Sequence, residues 1–187
     1  MEAERFAAER AELMRKQKER QEAHLYIDIQ VANMSNFTSH EGFDIVPWKG
    51  QELEDASTPR TFHILRDMKL SELTKEVAEE MGVDTDMLRP WAMVNRQNGT
   101  VRPDTPLLFP DMTIEEAAAK FGTKSTNFRI WMEQAEDRDA DGKPVWGDSR
   151  IDLQGIPQNR AIMLFLKHFD ARAQTLLGVG SFYATVM

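Results

Sequence analysis

The stretch Arg15–Gln30 reads RKQKERQEAHLYIDIQ and sets a charged helical pattern directly against a strand pattern. From Leu25 onward, apolar residues stand at every second position, which is typical of a half-buried β-strand. No capping residue, Gly or Pro separates the two patterns, although a domain that folds independently normally begins with one. We therefore expect the charged segment to continue from a chain that lies upstream.

Residues 2–22 contain strong helix formers throughout and neither Gly nor Pro. Oppositely charged pairs four residues apart, such as Glu12 with Lys16, stabilise a solvent-exposed helix. Few side chains in this segment are large and apolar, so the helix would bury little surface of its own. The pattern predicts a charged connector helix over residues 1–23.

After the first strand, the sequence predicts a second strand, a main helix and a third strand. The second strand is expected at Thr61–Leu65. Ser71 can cap the helix, and Gly82 can end it in the left-handed conformation. The third strand is expected at Leu88–Val94, where Pro90 favours an edge position or a late start because proline donates no ladder hydrogen bond.

Further signals predict a hairpin turn, a short helix and a last strand. Asn98-Gly99 can supply the two positive-φ positions of a two-residue hairpin turn. Thr113 and Glu116 form a capping box, which predicts a helix at Ile114–Phe121. Alternating apolar residues then predict a strand over 128–133.

The order of these elements predicts an α+β fold of the β-grasp type, in which one main helix crosses a small mixed sheet. A long loop is expected between the first two strands, because turn-forming residues recur over positions 33–50. Loop insertions of this kind would enlarge the basic arrangement.

The C-terminal segment predicts a separate hairpin. Ala161–Leu166 is apolar on both faces, and Asp170–Thr175 can turn the chain. The returning strand, Leu176–Val186, is expected to be broken by Gly178 and Gly180. We expect this hairpin to be exposed or to self-associate, because the preceding elements already complete a sheet.

Composition restricts the functional classes. The chain has 187 residues, 41% of them hydrophobic, which suits one domain with extensions or two small domains. Its net charge of −8 argues against a general nucleic-acid or anionic-membrane binder, since both need concentrated positive charge. The chain has no cysteine, which excludes disulfides, thiolate metal sites and cysteine nucleophiles and fits an intracellular protein.

No group of residues in the sequence predicts a catalytic or cofactor site. His24, His40, His63 and His168 have no nucleophile to serve, so surface or strand positions are the expected ones. The carboxylate pairs Glu79-Glu80 and Glu115-Glu116 fall on the outer faces of predicted helices, where burial cannot raise a pKa. Ser181 lacks the G-x-S-x-G elbow of a serine nucleophile.

One motif offers a metal-binding alternative. Asp137, Asp139 and Asp141 reproduce the D-x-D-x-D-G start of a calcium loop. Lys143 stands at the seventh position, which contributes a backbone carbonyl, and Asp148 stands at the twelfth. The usual twelfth residue is a bidentate Glu, and no helix pattern flanks the loop. We therefore favour a solvated acidic loop and no metal, with calcium binding by these five residues as the alternative.

Several segments in order resemble a known family. KERQEAHLYIDIQV, LSELTKEVAEEMG, MLRPWAMVNRQNGTVRP and AIMLFLKHFD are similar to the region that follows the catalytic domain of the herpesvirus-associated ubiquitin-specific protease. The matches span roughly residues 18–182. That family is a nuclear and cytoplasmic deubiquitinase with tandem ubiquitin-like domains, so the resemblance implies a non-catalytic ubiquitin-like regulatory and protein-interaction module.

The resemblance also implies a domain organisation and a set of partners. Residues 1–23 would connect the catalytic domain to a first ubiquitin-like domain at 24–137, which an acidic linker at 138–160 follows. Residues 161–187 would then be the opening hairpin of a second ubiquitin-like domain. The implied partners are the catalytic domain, the adjoining ubiquitin-like domains and further proteins. The family's partner-binding segment would lie beyond Met187, so no partner-binding residue is assigned. A free-standing ubiquitin-like adaptor remains an alternative.

Overall fold

The computed structural model describes residues 10, 12–15, 17, 22–48, 55–122, 127–150 and 161–185. Residues 10, 12–15, 17 and 22 are helical and exposed, and the rest of the predicted connector helix lies outside the described residues. No helix within the described ranges is long and apolar enough to cross a membrane. The elements that follow are β1 (Tyr26–Ala32), α1 (Met34–Ser39), β2 (Arg60–Leu65), α2 (Leu70–Met81), β3 (Leu88–Asn95), β4 (Val101–Pro106), α3 (Ile114–Phe121), β5 (Phe128–Gln134), β6 (Asp137–Arg138), β7 (Pro144–Val145), β8 (Ala161–Asp170) and β9 (Thr175–Thr185).

Five strands form one mixed sheet in the order β2-β1-β5-β3-β4. β1 and β5 run parallel, whereas the other neighbouring strands are antiparallel. The α2 helix packs across one face of this sheet and contributes Leu70, Leu73 and Val77 to its core. This arrangement confirms the predicted α+β class and its β-grasp layout.

The ends of α2 follow local chemistry, with one difference from expectation. Gly82 has φ of +68° and adopts the left-handed conformation just after the last residue of α2, as predicted. The helix begins before Ser71, because the Glu72 carboxylate accepts a hydrogen bond from the Lys69 backbone N–H at 3.0 Å. Thr113 and Glu116 form the predicted capping box of α3.

The second face of the sheet is also covered, although the alternating patterns predict half-buried strands. Trp91 of β3 and Trp131 of β5 lie on this face and are almost fully buried. The predicted loop after β1 contains helix α1, which Asn33 caps by accepting hydrogen bonds from two backbone N–H groups. Phe37 of α1 is fully buried against the second face. The sheet therefore lies between two layers.

The hairpin β8–β9 belongs to the second layer, so the expectation that it is exposed or self-associated is wrong in part. Met163, Phe165 and Tyr183 pack against the second-face core. The opposite hairpin face remains solvent-exposed. β9 runs as one strand, but its register with β8 shifts between Gly178 and Gly180, where the sequence predicted a break. Gly178 lies against α1, where a Cβ atom would meet the Phe37 carbonyl oxygen at 2.2 Å. Glycine at this position permits the close packing that holds the hairpin to the body.

Pro90 lies in an interior strand that already begins at Leu88, so both predicted placements, an edge position and a late start, are wrong. β3 has β5 on one side and β4 on the other. The β4 ladder begins only at Trp91, and the Pro90 carbonyl accepts a hydrogen bond from the Leu107 backbone N–H at 2.8 Å. The missing proline N–H therefore falls just beyond the β4 ladder.

The turn between β3 and β4 is also longer than predicted. Among its residues only Gly99 has positive φ, at +78°. The Asn98 side chain instead accepts hydrogen bonds from the backbone N–H and the hydroxyl of Thr100. Because an Asn side chain can replace a backbone acceptor in this way, the turn closes without a left-handed Asn.

Candidate functional site

A buried polar cluster joins the sheet to the hairpin and centres on Arg89 of β3. The guanidinium donates to Glu133 of β5 at 2.8 Å and to both carboxylate oxygens of Asp148 at 3.0 and 3.1 Å. It also donates to the hydroxyl of Tyr183 in β9 at 3.0 Å. A planar guanidinium suits such a site because its donors form a rigid fork. Arg89 thereby connects three separate segments of the chain.

Glu133 completes this cluster as the shared acceptor. It accepts hydrogen bonds from the Tyr183 hydroxyl at 2.5 Å and from the Trp91 indole N–H at 2.7 Å. The side chains of Arg89 and Glu133 are only 10% and 11% exposed, so this ion pair is shielded from bulk water. A buried charge is tolerated only when its hydrogen-bonding capacity is filled. Here the two oxygens of Glu133 have three donors between them.

The electrostatics of the cluster favour its charged form. Burial by itself lowers the pKa of Arg89, but the hydrogen bonds to Glu133 and Asp148 outweigh burial and raise that pKa well above its ordinary value. Burial raises the pKa of the Tyr183 phenol strongly, and the hydrogen bond to Glu133 raises it further. Arg89 therefore stays protonated, and Tyr183 stays a neutral donor, throughout the physiological range.

Aromatic packing beside the cluster fixes the orientation of the hairpin. The Phe165 ring of β8 meets the rings of Trp131 and Phe37 edge-on, with centroid distances of 4.9 and 5.1 Å. The Arg89 guanidinium lies over the Trp146 ring at 4.5 Å. Edge-to-face contacts prefer a defined geometry, so they constrain rotation as well as distance. The hairpin is thus held by both polar and aromatic contacts.

A groove of about 1210 Å³ runs beside the junction between the sheet and the β8–β9 hairpin. Residues 102–106 of β4 form one wall, and residues 162–165 of β8 contribute to the other. Aromatic residues also line it, among them Trp91 and Phe43. Phe43 is 69% exposed, which is unusual for a phenylalanine and marks the groove as an apolar surface open to solvent.

One end of the groove carries positive charge. The Lys167 ammonium donates to the Gly42 carbonyl at 2.6 Å, and burial together with the charge of Arg102 lowers the pKa of Lys167. Arg102 pairs with Asp44, which also accepts the Val101 backbone N–H at 3.2 Å. This end therefore contains two cations and one carboxylate within a partly buried site.

The residues of the calcium alternative are not brought together. Asp137 and Lys143 lie in a short hairpin, and the Asp139 carboxylate accepts hydrogen bonds from the Asp141 and Lys143 backbone N–H groups. Both oxygens of Asp148 are bound to Arg89. Within the described ranges, no three His, Asp or Glu side chains are grouped so that they could hold a metal ion.

The remaining predicted candidates are dispersed. His63 pairs with Asp28 at 2.6 Å on the exposed side of β2, whereas His40 is buried at the end of α1. His24 and His168 are exposed. Glu79 and Glu80 pair separately with Lys75 and Arg60. Glu115 contacts Arg66, Glu116 caps α3, and Ser181 faces Phe165 in the hairpin register.

Sequence reasoning missed Arg89, Glu133 and Tyr183. A signal for Arg89 and Glu133 is present in the sequence, because each stands two positions from a tryptophan. Arg89 precedes Trp91, and Glu133 follows Trp131. Since residues two apart on a strand share a face, these charges and indoles had to share an environment. A half-buried strand does not need tryptophan on its solvent side, so the pattern indicates a covered second face.

Comparison with known proteins identifies the relatives of this chain. Residues 88–186 match the family model described as the ICP0-binding domain of ubiquitin-specific protease 7. The matched range contains β3, β4, β5 and the whole described hairpin. It therefore includes both sides of the junction that Arg89 connects.

Curated relatives are ubiquitin hydrolases from yeasts and a plant. The chain is 30% identical over 173 residues to ubiquitin carboxyl-terminal hydrolase 5 of Schizosaccharomyces pombe, covering 92% of this chain and 14% of that protein. It is 29% identical over 185 residues to ubiquitin C-terminal hydrolase 12 of Arabidopsis thaliana, covering 94% and 15%. Over 139 residues it is 28% identical to ubiquitin carboxyl-terminal hydrolase 15 of Saccharomyces cerevisiae, covering 70% and 11%. The chain thus spans about one seventh or less of the length of these relatives.

Proposed function

Because this chain belongs to the family of the ICP0-binding domain of ubiquitin-specific protease 7, we propose that it is a non-catalytic, ubiquitin-like module of a longer ubiquitin-specific protease. In this proposal it holds neighbouring domains in a defined orientation and binds partner proteins during deubiquitination. The parent protein would act in the nucleus and cytoplasm, as the family resemblance implies.

One observation carries the positioning role: the Arg89 cluster attaches the hairpin to the sheet through buried charges. A hairpin held only by a flexible linker would not need a guanidinium that binds Glu133, Asp148 and Tyr183 at once. If residues 161–187 open a second domain, as the domain organisation proposed from sequence has it, the same contacts orient that domain relative to the first. The junction would then transmit a fixed geometry along the protease.

The chain itself is proposed to have no catalytic role. It contains no cysteine, and the mechanism of a cysteine-type protease needs a thiolate nucleophile. The purified chain should neither cleave ubiquitin-amide substrates nor react with a ubiquitin-based thiol probe. Hydrolysis by a rigorously purified sample would contradict the proposal. The net charge of −8 supports proteins, rather than nucleic acid or anionic membranes, as partners.

Distance measurement by pulsed electron resonance tests the positioning role. Because the chain lacks cysteine, spin labels can be attached only at introduced sites, here Lys75→Cys on α2 and Val179→Cys on β9. The two positions are both exposed and lie on opposite sides of the junction. We expect one narrow distance distribution, which Arg89→Met broadens because it removes the bonds between sheet and hairpin.

A second labelled pair provides the matched control. Lys75→Cys with Glu115→Cys lies within the helical layer, so its distance distribution should stay narrow in the Arg89→Met background. A broad distribution for the sheet–hairpin pair in the otherwise unmodified chain would refute a positioning role. A narrow distribution that survives Arg89→Met would show that the polar cluster is not what holds the hairpin.

A further inference from the structure

The turn between β3 and β4 contains a dipeptide that can react with itself. Asn98 is followed by Gly99, both residues are exposed, and Gly99 has φ of +78°. Among the described residues, a Cβ atom on Gly99 would meet nothing within 4 Å except its chain neighbours, so the approach to this peptide bond is open. The backbone nitrogen of a following residue can attack an asparagine amide, and glycine offers that nitrogen without a shielding side chain.

The side-chain carbonyl of Asn98 is held by two hydrogen-bond donors of one residue. The Asn98 Oδ1 accepts hydrogen bonds from the Thr100 hydroxyl at 2.8 Å and from the Thr100 backbone N–H at 3.2 Å. Thr100 is only 4% exposed, so both donors are shielded from competing water. Because a backbone N–H can only donate, the atom that faces it is the amide oxygen. The amide nitrogen, which would be the leaving group, is turned away from Thr100.

Two donors on one carbonyl oxygen form the arrangement by which enzymes stabilise an oxyanion. When a nucleophile adds to the Asn98 Cγ, negative charge develops on Oδ1, and hydrogen bonds to a charged acceptor are stronger than those to a neutral one. The two distances, 2.8 and 3.2 Å, lie close to the range of about 2.7–3.1 Å that suits such donors. The donors of Thr100 therefore favour the transition state over the intact amide.

We propose that Asn98 is a site of self-modification, at which the Gly99 nitrogen attacks the Asn98 amide and the two donors of Thr100 accelerate the reaction. A solvent base removes the Gly99 N–H proton, and the nitrogen forms a bond to the Asn98 Cγ. The Cγ–Nδ2 bond then breaks, the nitrogen takes up a proton from water, and ammonia leaves a five-membered succinimide ring. Water opens this ring at either carbonyl and yields aspartate or isoaspartate. The reaction is independent of the proposed function.

The two products affect the turn differently. Aspartate adds one negative charge, and its carboxylate can still accept both hydrogen bonds of Thr100. Isoaspartate routes the main chain through the former side chain, so an extra carbon enters the turn. The Gly99 N–H donates to the Arg96 carbonyl at 3.0 Å, and the Arg96 N–H donates to the Thr100 carbonyl at 2.7 Å. Both bonds need the normal spacing of the main chain, so isoaspartate should open the turn and aspartate should preserve it.

The turn between β6 and β7 offers a comparison within the same chain. Asp141 precedes Gly142, which has φ of +79° and donates its N–H to the Asp139 carbonyl at 3.0 Å, as in the β3–β4 turn. The residue that corresponds to Thr100 is Lys143, and its N–H donates to the Asp139 carboxylate at 2.8 Å. The second turn therefore has the same glycine geometry, but the N–H two residues after Asp141 serves a different acceptor.

Incubation of the full chain at neutral pH, followed by peptide mass spectrometry that separates aspartate from isoaspartate, tests the proposal. We expect the Asn98 amide to be lost before the amide of Asn95, which lies in the same hairpin but precedes the bulky Arg96. Thr100→Val should slow the loss by about threefold to tenfold, the range expected for one neutral hydrogen bond. Thr100→Ser keeps the hydroxyl and should react like the wild type.

Urea separates the effect of the folded turn from the effect of the local sequence. In the unfolded chain the donors no longer converge on Oδ1, so the wild type and Thr100→Val should lose the Asn98 amide at the same rate. If Thr100→Val reacts as fast as the wild type in the folded state, or faster, the hydrogen bonds do not activate Asn98 and the proposal is overturned. An Asn98 amide that persists unchanged in the folded chain would overturn it as well.

A second variant tests the role of the donors without any change at Thr100. Asp141→Asn places the same reactive dipeptide in the β6–β7 turn, where the Lys143 N–H serves Asp139. In urea, the ratio of the two rates of amide loss gives the intrinsic effect of the neighbouring residues. In the folded chain, we expect the ratio to shift several-fold in favour of Asn98. An equal ratio in both states, or a shift toward position 141, would refute acceleration by Thr100.

Discussion

The two faces of the central sheet are built in different ways. On the helix side, α2 packs aliphatic residues such as Leu73 and Val77 against Ile29 and Ile130. On the hairpin side, the core is aromatic and surrounds the Arg89–Glu133 ion pair. The first face is closed by a helix that forms from local signals. The second is closed by segments that are distant in sequence.

This difference predicts a division of labour between the faces. Aliphatic packing is non-directional and mainly supplies stability, since its contribution follows the apolar area buried. Buried ion pairs add little net stability, because desolvation offsets much of their attraction, but they demand one geometry. We therefore expect helix-side changes to unfold the domain and hairpin-side changes to release the hairpin.

The largest effect is expected for Leu73→Ala on the helix side. Leu73 is fully buried, and truncating a buried leucine costs its transfer free energy and leaves a cavity. The free energy of unfolding should fall by about 3–4 kcal/mol in urea titration followed by tryptophan fluorescence. The exposed Leu108→Ala, at 62% exposure, is the control and should have little effect. Equal losses in both variants would contradict the assigned helix-side core.

The next effect is expected for Arg89→Met. This change leaves Glu133 and Asp148 without their cation, so a loss of about 3 kcal/mol is expected, at the lower end of the range for a buried pair that loses one partner. Hydrogen exchange should become faster in β8 and β9 than in β1, which would show that the hairpin loosens first. Uniform acceleration across all strands would mean that the two faces form one cooperative unit.

A smaller effect is expected for Phe165→Ala. The ring is only half-buried but contacts both Trp131 and Phe37, so the loss should be about 1–2 kcal/mol. Its matched control is Leu164→Ala, the neighbouring β8 residue on the opposite face, which is 36% exposed. If Leu164→Ala destabilises the chain as much as Phe165→Ala, the assignment of the two hairpin faces is reversed.

The smallest effect is the pH dependence of His40, which lies beside the hairpin layer. Burial lowers the pKa of His40 below 6.5, and the charge of Lys167 lowers it further, against opposing effects of Asp44 and Asp55. The unfolded chain therefore takes up the proton first, and stability should fall as the pH drops below 6.5. Thermal unfolding from pH 8 to pH 5.5 should show a steeper loss for the wild type than for His40→Gln. Parallel curves would show that His40 is not linked to folding.

The elements with local signals were predictable because their causes lie within a few residues. Gly82 ends α2 because only the left-handed conformation closes that helix, and the Thr113–Glu116 box needs only a four-residue spacing. The alternation of β1 likewise predicts the strand and its helix-side face, which carries Ile29 and Val31. The α+β class followed from the order of these elements, and the family relationship from ordered segments of sequence.

Contacts between residues that are distant in sequence determined the strand order, the register at Pro90 and the position of the hairpin. Pro90 can occupy an interior strand because the ladder with β4 starts only at the next residue, Trp91, which pairs with Pro106 at the end of β4, and no local pattern near Pro90 encodes that register. Arg89 and Tyr183 are 94 residues apart, so their hydrogen bond exists only once the hairpin has folded back onto the sheet. The sequence by itself determined the five strands of the sheet, the Thr113–Glu116 capping box and the apolar residues available for burial. Only the tertiary structure determined which strand faces were covered, because the burial of a face depends on the segments that pack against it. Bringing those distant segments together also costs the entropy of closing the intervening loops, which no local pattern encodes.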